Sequence, residues 1–199
     1  AKQPVIAVAA PFDLAPYMIM WDPAVHPSVN SIVDIGKTNT KVTLVADGRV
    51  IEQRRRHSGS HSAPPYLHLA NDVIWDWALA QLADLARQFN ITDIVPVAHG
   101  ASVAVIDDAG LVLPMLDYEL EISDFDAGYD RMGRNFAATG TARPPCGHNA
   151  GRQLFWLQRK FPEQFARATA IVGYAQYWSF LLSGVVASEL TALGCHTDL

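Results

Sequence analysis

The strongest constraint on this chain is the stretch at positions 31–41, Ser-Ile-Val-Asp-Ile-Gly-Lys-Thr-Asn-Thr-Lys. An apolar run stops at Asp34, turns at Gly36 and re-enters a strand-like run at residues 41–46. Two strands joined by a glycine turn make a β-hairpin, and this turn has the make-up of an anion cradle. Glycine allows a tight turn in which backbone N–H groups approach an anion closely. Thr38, Asn39 and Thr40 add short donors, and Lys41 adds a point charge. Each hydrogen bond to a phosphate oxygen is worth roughly 1.5–3 kcal/mol, so four or five would hold a nucleotide tail. Asp34 stands where strand meets turn, placed to hold a magnesium ion or its water. An ordinary hairpin would use the same residues. No helix pattern follows the turn, so it is not a Walker loop.

A chain of 199 residues, half of them apolar, suits one or two compact units. Its formal charge of −5 argues against a nucleic-acid partner. The triplet Arg54-Arg55-Arg56 closes a strand-like run and reads as a solvated edge. Two cysteines far apart, Cys146 and Cys195, do not make a disulfide framework and point to a reducing cytoplasm. No apolar run of about 18 residues is present, so no membrane span is expected. Val5 to Ala10 faintly resembles a signal peptide, but Pro11, Asp13 and Pro16 follow at once. Residues 1–30 are apolar and broken by five prolines, which forbids a helix. They read as an extension before the hairpin.

Strands at 32–35, 41–46 and 49–55 form a meander, with Asp47-Gly48 as a two-residue hairpin turn. Residues 57–66 read as loop. A helix starts at Asn71, its expected N-cap, and carries Ile74, Trp77, Ala78, Leu82, Leu85 and Phe89 on one face, with Asn90 as its stop. Short strands are expected at 94–97, 103–106 and 111–113. A helix at 151–160 stops before Pro162, a strand follows at 168–172, and a helix at 174–182 ends at Gly184. A meander followed by β-α alternation predicts an α/β fold, a mixed sheet with helices on both faces. That layout resembles a ribonuclease-H-like (actin-like ATPase) lobe with an inserted mixed subdomain.

The motifs then resemble the N-terminal lobe of the FGGY-family carbohydrate kinases. Asp34-Ile-Gly36-Lys-Thr38-Asn-Thr40-Lys41 is similar to that family's phosphate motif, with Lys37 where a threonine is usual. Ala98-His99-Gly100-Ala101 resembles the sugar-contacting turn of xylulokinases, and the arm from Leu113-Pro114 to Tyr118-Glu119 the border of the sugar. Trp156 to Pro162, and Tyr174 to Gly184 followed by Ala187-Ser188, resemble the helix ends that close the lobe. The resemblance covers residues 31–199, with the sugar-binding insert at about 111–165. It implies ATP and Mg2+ as cofactors and transfer of a phosphoryl group to a hydroxyl of a ketose or polyol. It also implies a C-terminal nucleotide lobe in cis, carrying the adenine site and the aspartate that acts as base, beyond Leu199.

On that reading Asp34 manages the metal. Gly36, Lys37, Thr38, Asn39, Thr40 and Lys41 hold phosphate; His99, Gly100, Tyr118 and Glu119 fix the sugar. His148 and Asn149 fall where some relatives touch substrate. Asp117, Glu121, Asp124 and Asp126 read as a solvated acidic face. The spacing of His57, His61 and His68 fits no standard metal-ligand pattern. Cys195-His196 reads as structural. The rival class is a non-catalytic actin-like nucleotide- or sugar-binding module acting through a partner. Sequence leaves the oligomeric state open, a homodimer included.

Overall fold

The computed structural model describes residues 27–121, 128, 129, 137, 140, 147–189, 192 and 197. The opening residues 1–26, Cys146, Cys195, His196, Asp124 and Asp126 lie outside them.

The expected meander forms, with longer strands: β1 (Ser28–Ile35), β2 (Asn39–Ala46) and β3 (Arg49–His57). Asp47 and Gly48 both take positive φ, 50° and 72°, as a hairpin turn matched to strand twist requires. After β4 (Ser60–His61) and β5 (His68–Leu69) come α1 (Asn71–Leu85) and β6 (Asn90–Ala98). β6 lies parallel to β1, giving a mixed sheet in the order β3-β2-β1-β6. β1 alternates strictly, with Val29, Ser31, Val33 and Ile35 inward. In register with them stand Val42 and Leu44 of β2. α1 lays Ile74, Ala78, Leu82 and Leu85 on this layer, with Trp77 and Phe89 at its margin.

A second sheet is separate from the first. It runs β8 (Gly110–Leu111), β7 (Val103–Asp107) and β9 (Ala170–Gly173), all antiparallel. β7 is buried on both faces: Ala104 and Ile106 join the main core, while Val105 joins Tyr66, Leu113, Leu116, Trp156 and Leu157 in another. α2 (Ala150–Lys160), α3 (Pro162–Phe165) and α4 (Tyr174–Ser183) complete the described elements. α4 ends at Gly184 in the left-handed region, as expected, with its N–H on the Phe180 carbonyl at 2.7 Å. Trp178 of α4 packs into the same core as Ile74 of α1. Both helices therefore cover one face of the mixed sheet; on the other face Val95 and Val97 of β6 are 48 % and 45 % exposed, while Thr43 of β2 is buried.

Several local expectations change. Asn71 is not an N-cap but the first helical residue, its side chain accepting from the Tyr174 hydroxyl at 2.8 Å. α1 ends at Leu85, and Asn90 opens a strand because its N–H donates to the Pro27 carbonyl beside β1. Pro162 does not only stop a helix; it opens α3, where its missing N–H costs nothing. The expected strand at 111–113 shortens to Leu111, since Val112 and Leu113 turn into the second core. The loop at 57–66 contains β4, paired with β5. The Arg54–Arg56 triplet lies on the edge strand with Arg55 exposed, as expected, but its neighbours also fasten β3 to α1: Arg54 Nη1 donates to Asp84 Oδ2 at 2.6 Å and Arg56 Nη1 to the Val73 carbonyl at 3.0 Å.

Candidate active site

The parallel pairing of β1 and β6 delivers two chain segments to the same end of the sheet. Ile35 is level with Ala98, and the His99 N–H donates to the Ile35 carbonyl at 3.1 Å. Gly36 and His99 therefore leave their strands side by side, at the carboxyl ends where α/β sheets commonly bind ligands.

The turn after β1 admits only glycine. Gly36 N–H donates to the Asn39 carbonyl at 3.0 Å, and a Cβ on Gly36 would lie 2.8 Å from that oxygen. Ser58, just past β3, braces the turn: its hydroxyl donates to the Gly36 carbonyl at 2.6 Å and its N–H to the Thr38 carbonyl at 2.9 Å. Thr40 is fully buried with its hydroxyl 3.0 Å from that of Ser58, so its side chain supports the turn from within instead of facing an anion. The Gly36 N–H is likewise used internally. Among the described residues the N–H groups of Lys37 and Thr38 have no acceptor, and Thr38 is exposed. Asp34 and Lys41 are cross-strand neighbours joined by an ion pair of 3.2 Å, each more than a third exposed.

Lys37 was expected on a phosphate. Its ammonium instead lies 2.5 Å from each carboxylate oxygen of Asp117 and 3.5 Å from Glu119 Oε2. Asp117 was read as part of a solvated acidic face; it is buried, only 3 % exposed. The physical reason is partner supply, since Ser60 and the Glu119 N–H complete its shell at 2.6 and 3.0 Å. Burial raises the Asp117 carboxyl, but the hydrogen bonds from Lys37, Ser60 and Glu119 outweigh it and hold the group below the usual carboxylate range. Glu119 itself and Glu121 are exposed.

His99 sits between Tyr118 and Tyr174, with ring centroids 5.2 and 4.6 Å away. Burial lowers its pKa below the ordinary histidine value; the Gly100 carbonyl pulls upward and the Lys37 ammonium adds to the lowering. Nδ1 lies 2.8 Å from the Gly100 carbonyl, which only accepts, so Nδ1 carries the proton and Nε2 is left as an acceptor. His148 joins the group by packing on the Tyr118 ring at 4.8 Å. Asn149 has a different duty. It caps α2, accepting from the Arg152 N–H at 3.0 Å. His61 is 2.9 Å from Asp72, and among the described residues no three His, Cys, Asp or Glu side chains are grouped to hold a metal.

Sequence reasoning missed Ser58, Ser60 and Gln153. Gln153, fully buried, donates to the Ala101 carbonyl at 2.5 Å and to that of Gly147, tying α2 to the turn after His99. Ala101 there holds a φ of 61°, a conformation costly for a residue with a side chain. Ser58-Gly59-Ser60, two hydroxyls flanking a glycine after a strand, was the visible signal for the brace.

A crystal structure of a carbohydrate kinase from Novosphingobium aromaticivorans is 39 % identical over 85 % of this chain, with a TM-score of 0.78. In sequence and fold the chain is similar to part of that carbohydrate kinase. The resemblance to the FGGY family drawn from the motifs agrees with this match. More distant carbohydrate kinases share the fold. Xylulose kinase from Rhodospirillum rubrum matches 84 % of the chain at 22 % identity and TM-score 0.69, and gluconate kinase from Lactobacillus acidophilus 84 % at 20 % and 0.66. The chain spans 37 % of the length of the Novosphingobium and Rhodospirillum kinases and 36 % of the Lactobacillus one. No family model and no curated protein sequence matches the chain.

Proposed function

We propose that this chain is the N-terminal, sugar- and phosphate-binding lobe of an ATP-dependent kinase acting on a hydroxyl of a ketose or polyol. The observation that carries the proposal is the meeting of the 36–41 turn with His99 and the 117–119 arm at one end of the mixed sheet. Phosphoryl transfer asks a protein mainly to position two substrates and to meet developing charge. The free N–H groups of Lys37 and Thr38, the Thr38 hydroxyl, the Asn39 amide and Lys41 line the phosphate end. His99 Nε2 accepts from a sugar hydroxyl, Gly100 lets the sugar approach the backbone, Tyr118 offers a flat apolar face and Glu119 a further acceptor.

The residues fit magnesium carried chiefly by nucleotide phosphates: Asp34 is a hard oxygen donor, part-exposed beside the turn, and one or two carboxylates are what Mg2+ ordinarily takes from protein. Mg2+ there would supply charge neutralisation between phosphates. The base that takes the hydroxyl proton is assigned to the second lobe, so this chain alone binds without turning over. We place the protein in the cytoplasm; among the described residues no helix is long and apolar enough to cross a membrane.

The test is a panel of D- and L-ketoses and polyols given with ATP and magnesium to the complete protein that carries this lobe. A sugar phosphate as product supports the proposal. ATP hydrolysis without a phosphorylated sugar, or no reaction with any member of the panel, overturns it.

A further inference from the structure

One short segment, Ser58-Gly59-Ser60, touches both ends of the site. Ser58 follows β3, Ser60 opens β4, and Gly59 between them holds a φ of 78°. Ser58 is buried and works on the turn after β1. Its N–H donates to the Thr38 carbonyl at 2.9 Å and its hydroxyl to the Gly36 carbonyl at 2.6 Å. A hydroxyl has a single proton to give, so the Thr40 hydroxyl, 3.0 Å away, donates to Ser58 Oγ. Ser58 thus grips the backbone on either side of Lys37. Ser60 works on the arm. Its hydroxyl donates to Asp117 Oδ2 at 2.6 Å, and Asp117 Oδ1 accepts the Glu119 N–H at 3.0 Å.

These contacts close a ring. From Ser58 it runs through Gly36 and Thr38 to Lys37, across to Asp117, and back through Ser60 and Gly59. The two sides of the ring differ in stiffness. Lys37 reaches Asp117 on a flexible four-carbon stem that can follow a moving carboxylate. The serine hydroxyls stand a single side-chain rotation from the backbone, and Ser60 is paired with Leu69 in the β4–β5 ladder. The position of Asp117 is therefore set from Ser60. Gly59 makes the change of direction between the two serines, in a backbone conformation that a side chain disfavours.

We infer that Ser58-Gly59-Ser60 is a positioning clip that couples the two ends of the site, so that a ligand fixing the turn also fixes the arm carrying Tyr118 and Glu119. This rests on the phosphate-and-sugar reading above and adds to it the segment that sets the spacing between the two ends. Spacing matters because a misplacement of roughly 1 Å costs phosphoryl transfer about 10²-fold in rate. An anion on the turn hands the second ligand an arm already in place, which is positive cooperativity between the two.

The experiment follows hydrogen exchange at the Glu119 N–H by NMR, in the full 199-residue chain with and without saturating ATP and magnesium. That N–H reports the contact with Asp117 and needs no sugar, so the inference can fail while the sugar reading stands. ATP with magnesium should slow the exchange about fivefold in the wild type. Ser60→Ala should still bind ATP by calorimetry, since Ser58 and the turn are untouched, but show less than about twofold slowing. Ser60→Thr keeps the hydroxyl and should restore the effect. Gly59→Ala keeps both serines and has room for its methyl group, whose nearest neighbour is His57 Cδ2 at 3.9 Å. Its φ is nevertheless unfavourable, so the slowing should fall there too, and this variant carries the test if circular dichroism shows Ser60→Ala unfolded. Unchanged exchange in a wild-type chain that binds ATP overturns the inference; so does equal slowing in a folded Ser60→Ala protein. Failure of the wild type to bind ATP removes the anion role of the turn, and the inference with it.

Discussion

Lys37 Nζ lies 2.5 Å from both side-chain oxygens of Asp117, a residue eighty positions further along the chain. The pair joins the turn of the first hairpin to the arm that follows β8. Removing one partner of such a pair leaves a charge in a site that has lost its compensation.

Lys37→Met is therefore expected to destabilise the chain by about 3 kcal/mol, the low end for a buried pair because the Lys37 side chain remains 20 % exposed. Lys37→Met/Asp117→Leu should recover much of that loss. Urea denaturation of the three proteins gives the comparison. The Asp117 carboxyl is held below its ordinary value, so its contribution is complete above the unfolded pKa near ~3.9 and is lost as pH falls through the folded value. Wild-type stability should drop in that acid range, and the drop should be smaller in the double variant.

Gly36→Ala places a methyl group 2.8 Å from the Asn39 carbonyl oxygen, a backbone atom that Gly36 itself holds by a hydrogen bond. The turn must open. A loss of about 1–3 kcal/mol is expected, together with weaker nucleotide binding, since the N–H groups of Lys37 and Thr38 would no longer point together. Calorimetric titration with ATP and magnesium separates this from a stability effect alone. An alanine variant with wild-type affinity would remove the anion role of the turn.

On the proposed reading, His99 would bind a sugar hydroxyl as a neutral acceptor. Burial lowers its pKa, so the folded protein keeps it neutral above about pH 6.5, while the unfolded chain takes up a proton as pH falls below that value. Both stability and sugar affinity should be full at neutral pH and decline as pH falls toward the folded pKa. His99→Asn, which has no such titration, should flatten the affinity profile between about pH 5 and 7. Xylitol titrations across that range decide it.

Asp34→Asn keeps the shape of the side chain and removes its charge, leaving Lys41 without the carboxylate 3.2 Å away. ATP without magnesium should bind the variant about as tightly as the wild type or up to roughly fivefold more tightly. The gain in affinity that magnesium confers on the wild type should disappear. A variant that keeps the full magnesium effect would show that the metal rests elsewhere.

Much of this architecture was legible because the signals are local. Asp47-Gly48 demanded a primed turn, Gly184 a left-handed helix end, and the spacing of Ile74, Ala78, Leu82 and Leu85 a helix with one apolar face. Each of these depends on backbone sterics or on periodicity within a few residues, which is what a linear sequence displays. Asn71 shows the limit even for a local signal, since a good N-cap residue was taken by a tyrosine from another helix.

By itself the sequence determined the hairpin, the glycine turn and the order of the strands and helices, because these follow from conformational preferences of neighbours. Only the tertiary structure decided that Lys37 serves Asp117, that Thr40 faces inward to Ser58 and that Gln153 holds the turn beyond His99. A carboxylate followed in sequence by Glu119, Glu121, Asp124 and Asp126 looks solvated until distant segments bring it an ammonium and a hydroxyl. The free energy of that carboxylate depends on which groups meet it in space, and chain order does not encode that directly.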